Sequence, residues 1–530
     1  MPAPEAGEID HAARVDCDIG TALRFDEPPA LHTFERGERV VMDAIDPAAR
    51  ESIASVFVTL ALEIPALIAR ARKAGRAWDG LSAAQRAQAL MPLRQLIVQQ
   101  TGTIAETISR STGKPLIEAL AFDVAPVLQT LNECIERSMP LARTPPPVVC
   151  VIAPIGLPFE RALSPAILAL AAGSAVVVKP ASSASLVGAL IAQLFHHAFA
   201  EFPGLAQVVQ GGAQIGSLLA TAEDVDCVFF SGSRASAHKL QAALNALRRP
   251  AWFEALAVVP LIVCDDANLE RAANAAVFGR FCNNGQGGGS VNPVYVQHSV
   301  AAEFVHKVVH KVRALKSGPY TDPHCELGPL ASGRGLRHLR AVMQDALDHR
   351  ATVLTGGTPS HVTGSMSAKW RGAHGQGFYW PPTVFTDVTR STRLIREETF
   401  GPILGVTAVH DEREAILLAN ETSNGFGTCV FSGDRLRARR IATQLRVRLV
   451  AINDVLLKAG ARGGYWPGAR DESGGQPAAA QQVLVGDGDA DREPTWFPYS
   501  PAKLRGVEAA VAANAQRRDP FAVGAETIDG

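Results

Sequence analysis

Across residues 65–141 the apolar positions recur three and four apart, in stretches dominated by Ala, Leu, Arg and Gln. That spacing predicts several amphipathic helices, with Trp78, Leu81, Leu90 and Leu93 on their inward face. From residue 148 the pattern changes, and short apolar runs of strand length alternate with helical stretches. Residues 148–153, 175–179, 207–210 and 226–230 read as strands, and residues 159–170 and 184–199 as helices. Strands alternating with helices predict a parallel sheet covered on both faces, an α/β fold. A second alternating region runs from about residue 260 to residue 450. Within it, residues 356–377 are rich in Gly, Ser and His and read as an inserted surface loop. After Asn453 the chain turns polar and rich in Gly and Pro, with residues 481–485 as an edge strand. The first 45 residues read as an arm, and the last 25 or so as a loose tail.

Length and composition add limits. A chain of 530 residues is too long for one hydrophobic core, so two or three domains are expected. A net charge of −1 gives no electrostatic reason to expect nucleic acid or an anionic membrane as a partner. The longest apolar stretch, residues 162–178, is broken by Ser164, Pro165, Gly173 and Ser174 and is short for a bilayer span. Glu5, Glu8 and Asp10 with no apolar core behind them argue against a secretory signal. The 8 cysteines show no C-x-x-C spacing, which points to reduced thiols and a cytoplasmic location. Cys150, Cys227 and Cys264 sit in apolar strand-like runs, where cysteine acts as a small hydrophobe.

Several features suggest chemistry and then lose it. The glycine run 285–289 follows a helical stretch and carries no lysine, so it is a weak phosphate loop. His306 and His310 lie four apart without the acidic residue of a zinc-protease motif, and beside Lys307 and Lys311 they read as a solvated face. His196 and His197 are adjacent and point to different sides of a helix, so no metal site is indicated. Taken alone, Lys179 reads as a solvated strand-end charge and Ser233 as a helix cap.

The order of short motifs changes that reading. The helical stretch around Trp78, with Arg86, precedes Thr112-Gly113-Lys114-Pro115 and then Ala153-Pro154-Ile155-Gly156-Leu157-Pro158. Val178-Lys179-Pro180, Phe230-Ser231-Gly232-Ser233 and Glu254 follow, and then the strip from Phe281 to Ser290. Glu397-Glu398-Thr399-Phe400-Gly401-Pro402, Asn420 and Asn453-Asp454 complete the set. Over residues 66–475 the chain resembles the aldehyde dehydrogenase superfamily. The resemblance implies an α/β fold with a Rossmann-type dinucleotide-binding domain (46–122 and 148–253) and a second α/β domain of catalytic type (254–452). It also implies a small β extension for oligomerisation (123–147 and 470–495), pairing subunits into a dimer or tetramer, and a tail from residue 496.

The same resemblance assigns NAD or NADP as cofactor. Lys179 would stand beside the adenosine ribose or phosphate, and Gly232 and Ser233 would offer backbone N–H groups to the pyrophosphate. Glu398 would accept from the nicotinamide ribose hydroxyls, and Phe400 would lie near the ring. Ser182 stands where selective relatives carry a glutamate that repels a 2′-phosphate, so NADP should be tolerated.

Aldehyde oxidation needs a thiolate, a side-chain donor for the oxyanion and a base for the hydrolytic water. Only the base survives, as Glu254; Gly288 replaces the cysteine and Gly156 the asparagine. Losing an oxyanion donor costs about 10²–10³ in rate, and losing a nucleophile on the order of 10⁶ in a protease case. Cys282, six residues before Gly288, and Ser290, two after, are the displaced nucleophiles to weigh, and neither spacing preserves attack geometry. The expectation is a member impaired in the ordinary reaction, with a dinucleotide-binding, regulatory or structural role, on its own or beside an active homologue. The alternative is an enzyme using Cys282 with Glu254 as base on a small aldehyde.

Overall fold

The computed structural model describes residues 40–137, 145–255, 259–357, 377–422, 425–456, 481–486, 490–515 and 525–527. Strands β1 (Val41–Ile45) and β2 (Ser52–Phe57) form an antiparallel hairpin whose Ala44 and Ala54 cover Leu186. The part of the expected arm that is described is therefore paired strand.

The first sheet contains β3 (Val148–Ile152), β4 (Ala175–Lys179), β5 (Ala206–Val208), β6 (Cys227–Gly232) and β7 (Ala251–Ala255). Its order is β5-β4-β3-β6-β7 and every pairing is parallel. β3, β4 and β6 are buried along their whole length, which explains their unbroken apolar runs. The order reverses beside β3, so the carboxyl ends of β3 and β6 border the crevice where ligands of open α/β sheets collect. Helices Ile64–Asp79, Glu160–Ala172 and Ser185–Ala198 pack on this sheet. Trp78, Leu90 and Leu93 are buried and Leu81 packs partly against the same core, as the periodicity predicts. The Trp78 indole N–H donates to the Leu170 carbonyl at 2.7 Å.

The second sheet comprises β8 (Val259–Val263), β9 (Val291–Gln297), β10 (Thr352–Thr355), β11 (Thr383–Thr386), β12 (Ile403–Val409), β13 (Gly427–Phe431), β14 (Leu449–Ile452), β15 (Gln482–Val485) and β16 (Ala525–Thr527). The order is β10-β11-β12-β9-β8-β13-β14-β15-β16, parallel except at the two antiparallel edges.

Four boundaries differ from expectation. Glu254 lies within β7, so the division placed at residue 254 cuts a strand of the first sheet. Residues 125–137 form a helix packed on Glu160–Ala172, not a β extension. The reason is their apolar side at helical spacing, which buries Val127, Leu128 and Leu131. Strand β15 is flanked by β14 and β16 and so is not an edge. The expected tail contains the helix Pro501–Ala515, which buries Val507 and Val511. Most of the inserted loop, residues 358–376, and residues 470–480 of the proposed extension lie outside the described residues.

Candidate functional site

At the carboxyl end of β4 the Lys179 ammonium is almost enclosed and donates to the Pro180 carbonyl at 3.1 Å. Burial pushes its pKa down to about 8. Ser182 opens the short turn Ser182–Ala184 and is exposed. Gly232 ends β6, and a Cβ there would lie 2.7 Å from the tip of the Phe230 ring, so a larger residue would require that ring to shift. Ser233 caps the helix Arg234–Ala246, its Oγ accepting from the Ser236 N–H at 3.4 Å. The cap that the sequence suggested and the cofactor role are therefore compatible readings of one residue.

Glu398 arrives from the loop before β12. Its Oε2 accepts the Arg234 backbone N–H at 3.1 Å, one of the donors a helix leaves free in its first turn. Burial pushes this carboxyl up to about 7, against the pull of the Arg234 N–H and charge. Phe400, half-buried, follows in the same loop. That loop is tied from below by Arg280, which is wholly buried and donates to the carbonyls of Thr399 at 2.8 Å and Gly401 at 2.6 Å. Desolvation lowers the Arg280 pKa to about 9. A cation, a helix N-terminus and a carboxylate thus border the switch-point crevice. This donor and acceptor set fits the phosphates and ribose hydroxyls of a dinucleotide.

The catalytic side is organised differently. Glu254 on β7 has Oε2 3.2 Å from Arg161 Nε, and the same nitrogen is 3.2 Å from Glu160 Oε2. Burial pushes Glu160 up to about 7, opposed by Arg161 and reinforced by the Glu254 and Asp123 charges. Glu254 therefore shares an arginine with a second carboxyl group.

Gly156 lies in the loop between β3 and the helix Glu160–Ala172. Its carbonyl accepts from Lys114 Nζ at 2.8 Å and from Asn283 Nδ2 at 2.6 Å. Lys114 is paired with Asp123 at 2.7 Å, with side-chain exposures of 1% and 0%. Asp123 Oδ1 in turn accepts the N–H groups of Phe159 at 3.1 Å and Glu160 at 3.3 Å. A Cβ on Gly156 would lie 2.2 Å from the Gln286 carbonyl oxygen. The loop of Gly156 and the strip that runs to Gly288 are thus in contact: the Gln286 carbonyl occupies the space where a side chain at residue 156 would begin. Gly288 itself is half-buried, beside Gly287, whose added Cβ would meet nothing within 4 Å.

Cys282 is buried close to Glu118. Burial and the Glu118 charge raise its pKa well above the ordinary thiol value. Because the thiolate is the reactive form, native protein treated with iodoacetamide at pH 8 is expected to leave Cys282 unmodified by mass spectrometry. Rapid labelling there would show an accessible thiolate. Ser290 accepts from Arg280 Nη1 and donates to the Gly279 carbonyl, each at 3.3 Å. Both side chains have structural partners. His306 and His310 are exposed, and no group of three His, Cys, Asp or Glu that could hold a metal is found among the described residues.

Sequence reasoning missed Glu118, Asp123, Glu160, Arg161 and Arg280. A signal was present: each interrupts a run of small or apolar residues where a lone charge must find a buried partner.

The family profile described as the aldehyde dehydrogenase family matches residues 34–481. A 4,4′-diapolycopene aldehyde oxidase of Methylomonas sp is 33% identical over 470 residues, covering 82% of this chain and 85% of that protein. The peroxisomal aminoaldehyde dehydrogenase 2 of Pisum sativum is 31% identical over 434 residues, covering 77% and 84%. Among solved structures, an aldehyde dehydrogenase from Bartonella henselae superposes with a TM-score of 0.73 at 26% identity, over 78% of this chain and 88% of its own. A mutant aldehyde dehydrogenase C from Pseudomonas syringae, in complex with NAD+ and octanal, gives 0.73 at 28% identity, over 78% and 86%. With its two α/β sheets, its motif order and relatives of this coverage, the chain belongs to the aldehyde dehydrogenase family and has its fold.

Proposed function

We propose that this chain binds NAD or NADP at the switch-point crevice without carrying out ordinary aldehyde oxidation, and serves as a binding, regulatory or structural member of its family. One observation carries the reading: the nucleophile's position is Gly288, which has no side chain with which to add to a carbonyl. The Arg161 contact to Glu254 and the Gln286 carbonyl against Gly156 support it, because both engage groups that the reaction would need free. Lys179 would meet the adenosine side, the Ser233 helix end the pyrophosphate, and Glu398 the ribose hydroxyls once it leaves the Arg234 N–H. The relative solved with NAD+ and octanal supports a dinucleotide and a small aldehyde as ligand classes. The proposal places the protein in the cytoplasm as a homo-oligomer or beside an active homologue. The 7 described cysteines, all free and buried, suit a reducing compartment.

Isothermal titration with NAD and NADP, followed by an aldehyde panel with mass spectrometry, tests this. Both dinucleotides are expected to bind, with neither turnover nor an acyl adduct. An adduct on Cys282 would favour the alternative of a displaced nucleophile, and exclusion of NADP would contradict the reading of Ser182. Affinity should also depend on pH through Lys179. Its ammonium is the binding form and its pKa is about 8, so affinity is present below that value and falls as pH rises from 7 to 9. Lys179→Met should weaken binding about tenfold and flatten this dependence, since a hydrogen bond to a charged group contributes about 1.5–3 kcal/mol. Equal slopes for both proteins in titrations across that range would rule out Lys179 as the titrating contact.

A further inference from the structure

The strip leading to Gly288 has an unusual backbone. Asn283, Asn284 and Gly285 lie in the left-handed region, with φ of 50°, 52° and 66°. L-residues rarely string together there, so neighbours must hold such a turn. Asn284 Nδ2 donates to the carbonyls of Gly328 at 2.6 Å and Pro329 at 2.9 Å, and Asn283 Nδ2 holds the Gly156 carbonyl. The Asn283 N–H donates to Glu118 Oε2 at 2.8 Å. The other oxygen of Glu118 accepts the Tyr499 hydroxyl at 3.0 Å.

Tyr499 belongs to a segment beyond residues 34–481, the stretch that the family profile matches. That segment straps the helix Leu269–Phe281, which runs directly into the strip. Trp496 stacks on Phe278 with centroids 6.0 Å apart, and Phe497 meets the same ring edge-on at 5.2 Å. The Arg271 guanidinium lies 5.1 Å from the Trp496 ring centre and bonds Glu493 and the Asn453 and Ala490 carbonyls. The Tyr499 N–H donates to Glu326 Oε1 at 3.1 Å. The aromatic packing therefore places the strap independently of its hydroxyl. That hydroxyl links the strap, through Glu118, to the strip.

We propose that Tyr499 and Glu118 are positioning residues: the C-terminal segment, through these two side chains, fixes the left-handed strip and so sets where residue 288 and the Gln286 carbonyl lie against Gly156. The proposal does not depend on dinucleotide binding and is read without it. Tyr499→Phe in the full chain removes one hydroxyl and keeps the ring. Hydrogen exchange followed by mass spectrometry should show peptides spanning 281–290 exchanging up to about tenfold faster, consistent with loss of one hydrogen bond. Peptides from 269–280 and 490–498 should change less than twofold. Glu118→Leu should have the same local effect, because it removes the acceptor shared by the Asn283 N–H and the Tyr499 hydroxyl. Faster exchange confined to the C-terminal segment, or none at 281–290, would overturn the proposal. Loosening of the whole domain in both variants would also overturn it, since the pair would then be an ordinary core staple.

Discussion

Lys114→Met is expected to lower the free energy of unfolding by about 3–5 kcal/mol, the usual cost of breaking a buried ion pair from one side. The substitution leaves the Asp123 carboxylate enclosed at 0% side-chain exposure with its cation gone. It also removes one of the two donors on the Gly156 carbonyl. The remaining partners of Asp123, the N–H groups of Phe159 and Glu160, do not cancel its charge. A shift of the urea midpoint to lower concentration, with little change of slope, is the measurement. Pairing the change with Asp123→Leu should recover much of the loss, because two apolar groups leave no uncompensated charge. A single variant within about 1 kcal/mol of the parent would mean that water or another cation reaches Asp123.

Gly288→Cys is expected to give a thiol that iodoacetamide labels, because residue 288 is only half-buried and its neighbour Gly287 has open space where a Cβ would stand. NADH formation with aldehydes should nevertheless stay at least about 10²–10³ below that of an intact relative, since no side chain at residue 156 stabilises the oxyanion. Adding Gly156→Asn should not repair this. A Cβ there would lie 2.2 Å from the Gln286 carbonyl oxygen, a backbone atom that cannot step aside as a side-chain end can. The double variant is expected to be less stable and no faster than the single one. Overpacking of this kind typically costs about 1–3 kcal/mol. Full turnover in the double variant would show that the strip moves freely, against both this prediction and the strap inferred from Tyr499.

Glu254 illustrates how far a motif carries. Its place in the chain is where the resemblance expects the residue that activates water. The fold adds that Arg161 Nε is 3.2 Å away and shared with Glu160. No spacing in the sequence announces that contact, because it joins the first turn of one helix to a strand some ninety residues later. The strand ends at Lys179 and Gly232 and the helix cap at Ser233 were legible in the sequence, since these are local arrangements. Glu398 falls between these cases. Its motif was plain, but its hold on the Arg234 N–H required two α/β regions to meet.

The sequence by itself determined the alternation of strands and helices, the inward face of Trp78, Leu90 and Leu93, and the presence at position 288 of a residue without a side chain. Each of these depends on residue type and short-range period, which a chain carries before it folds. Only the tertiary structure decided that Gly156 and the strip share one space, and that residues 125–137 and 501–515 form helices packed on the body. It alone brought Tyr499 to Glu118 across 381 positions. Buried charges and close backbone approaches are settled by which distant segments exclude water together, and no local pattern encodes that choice.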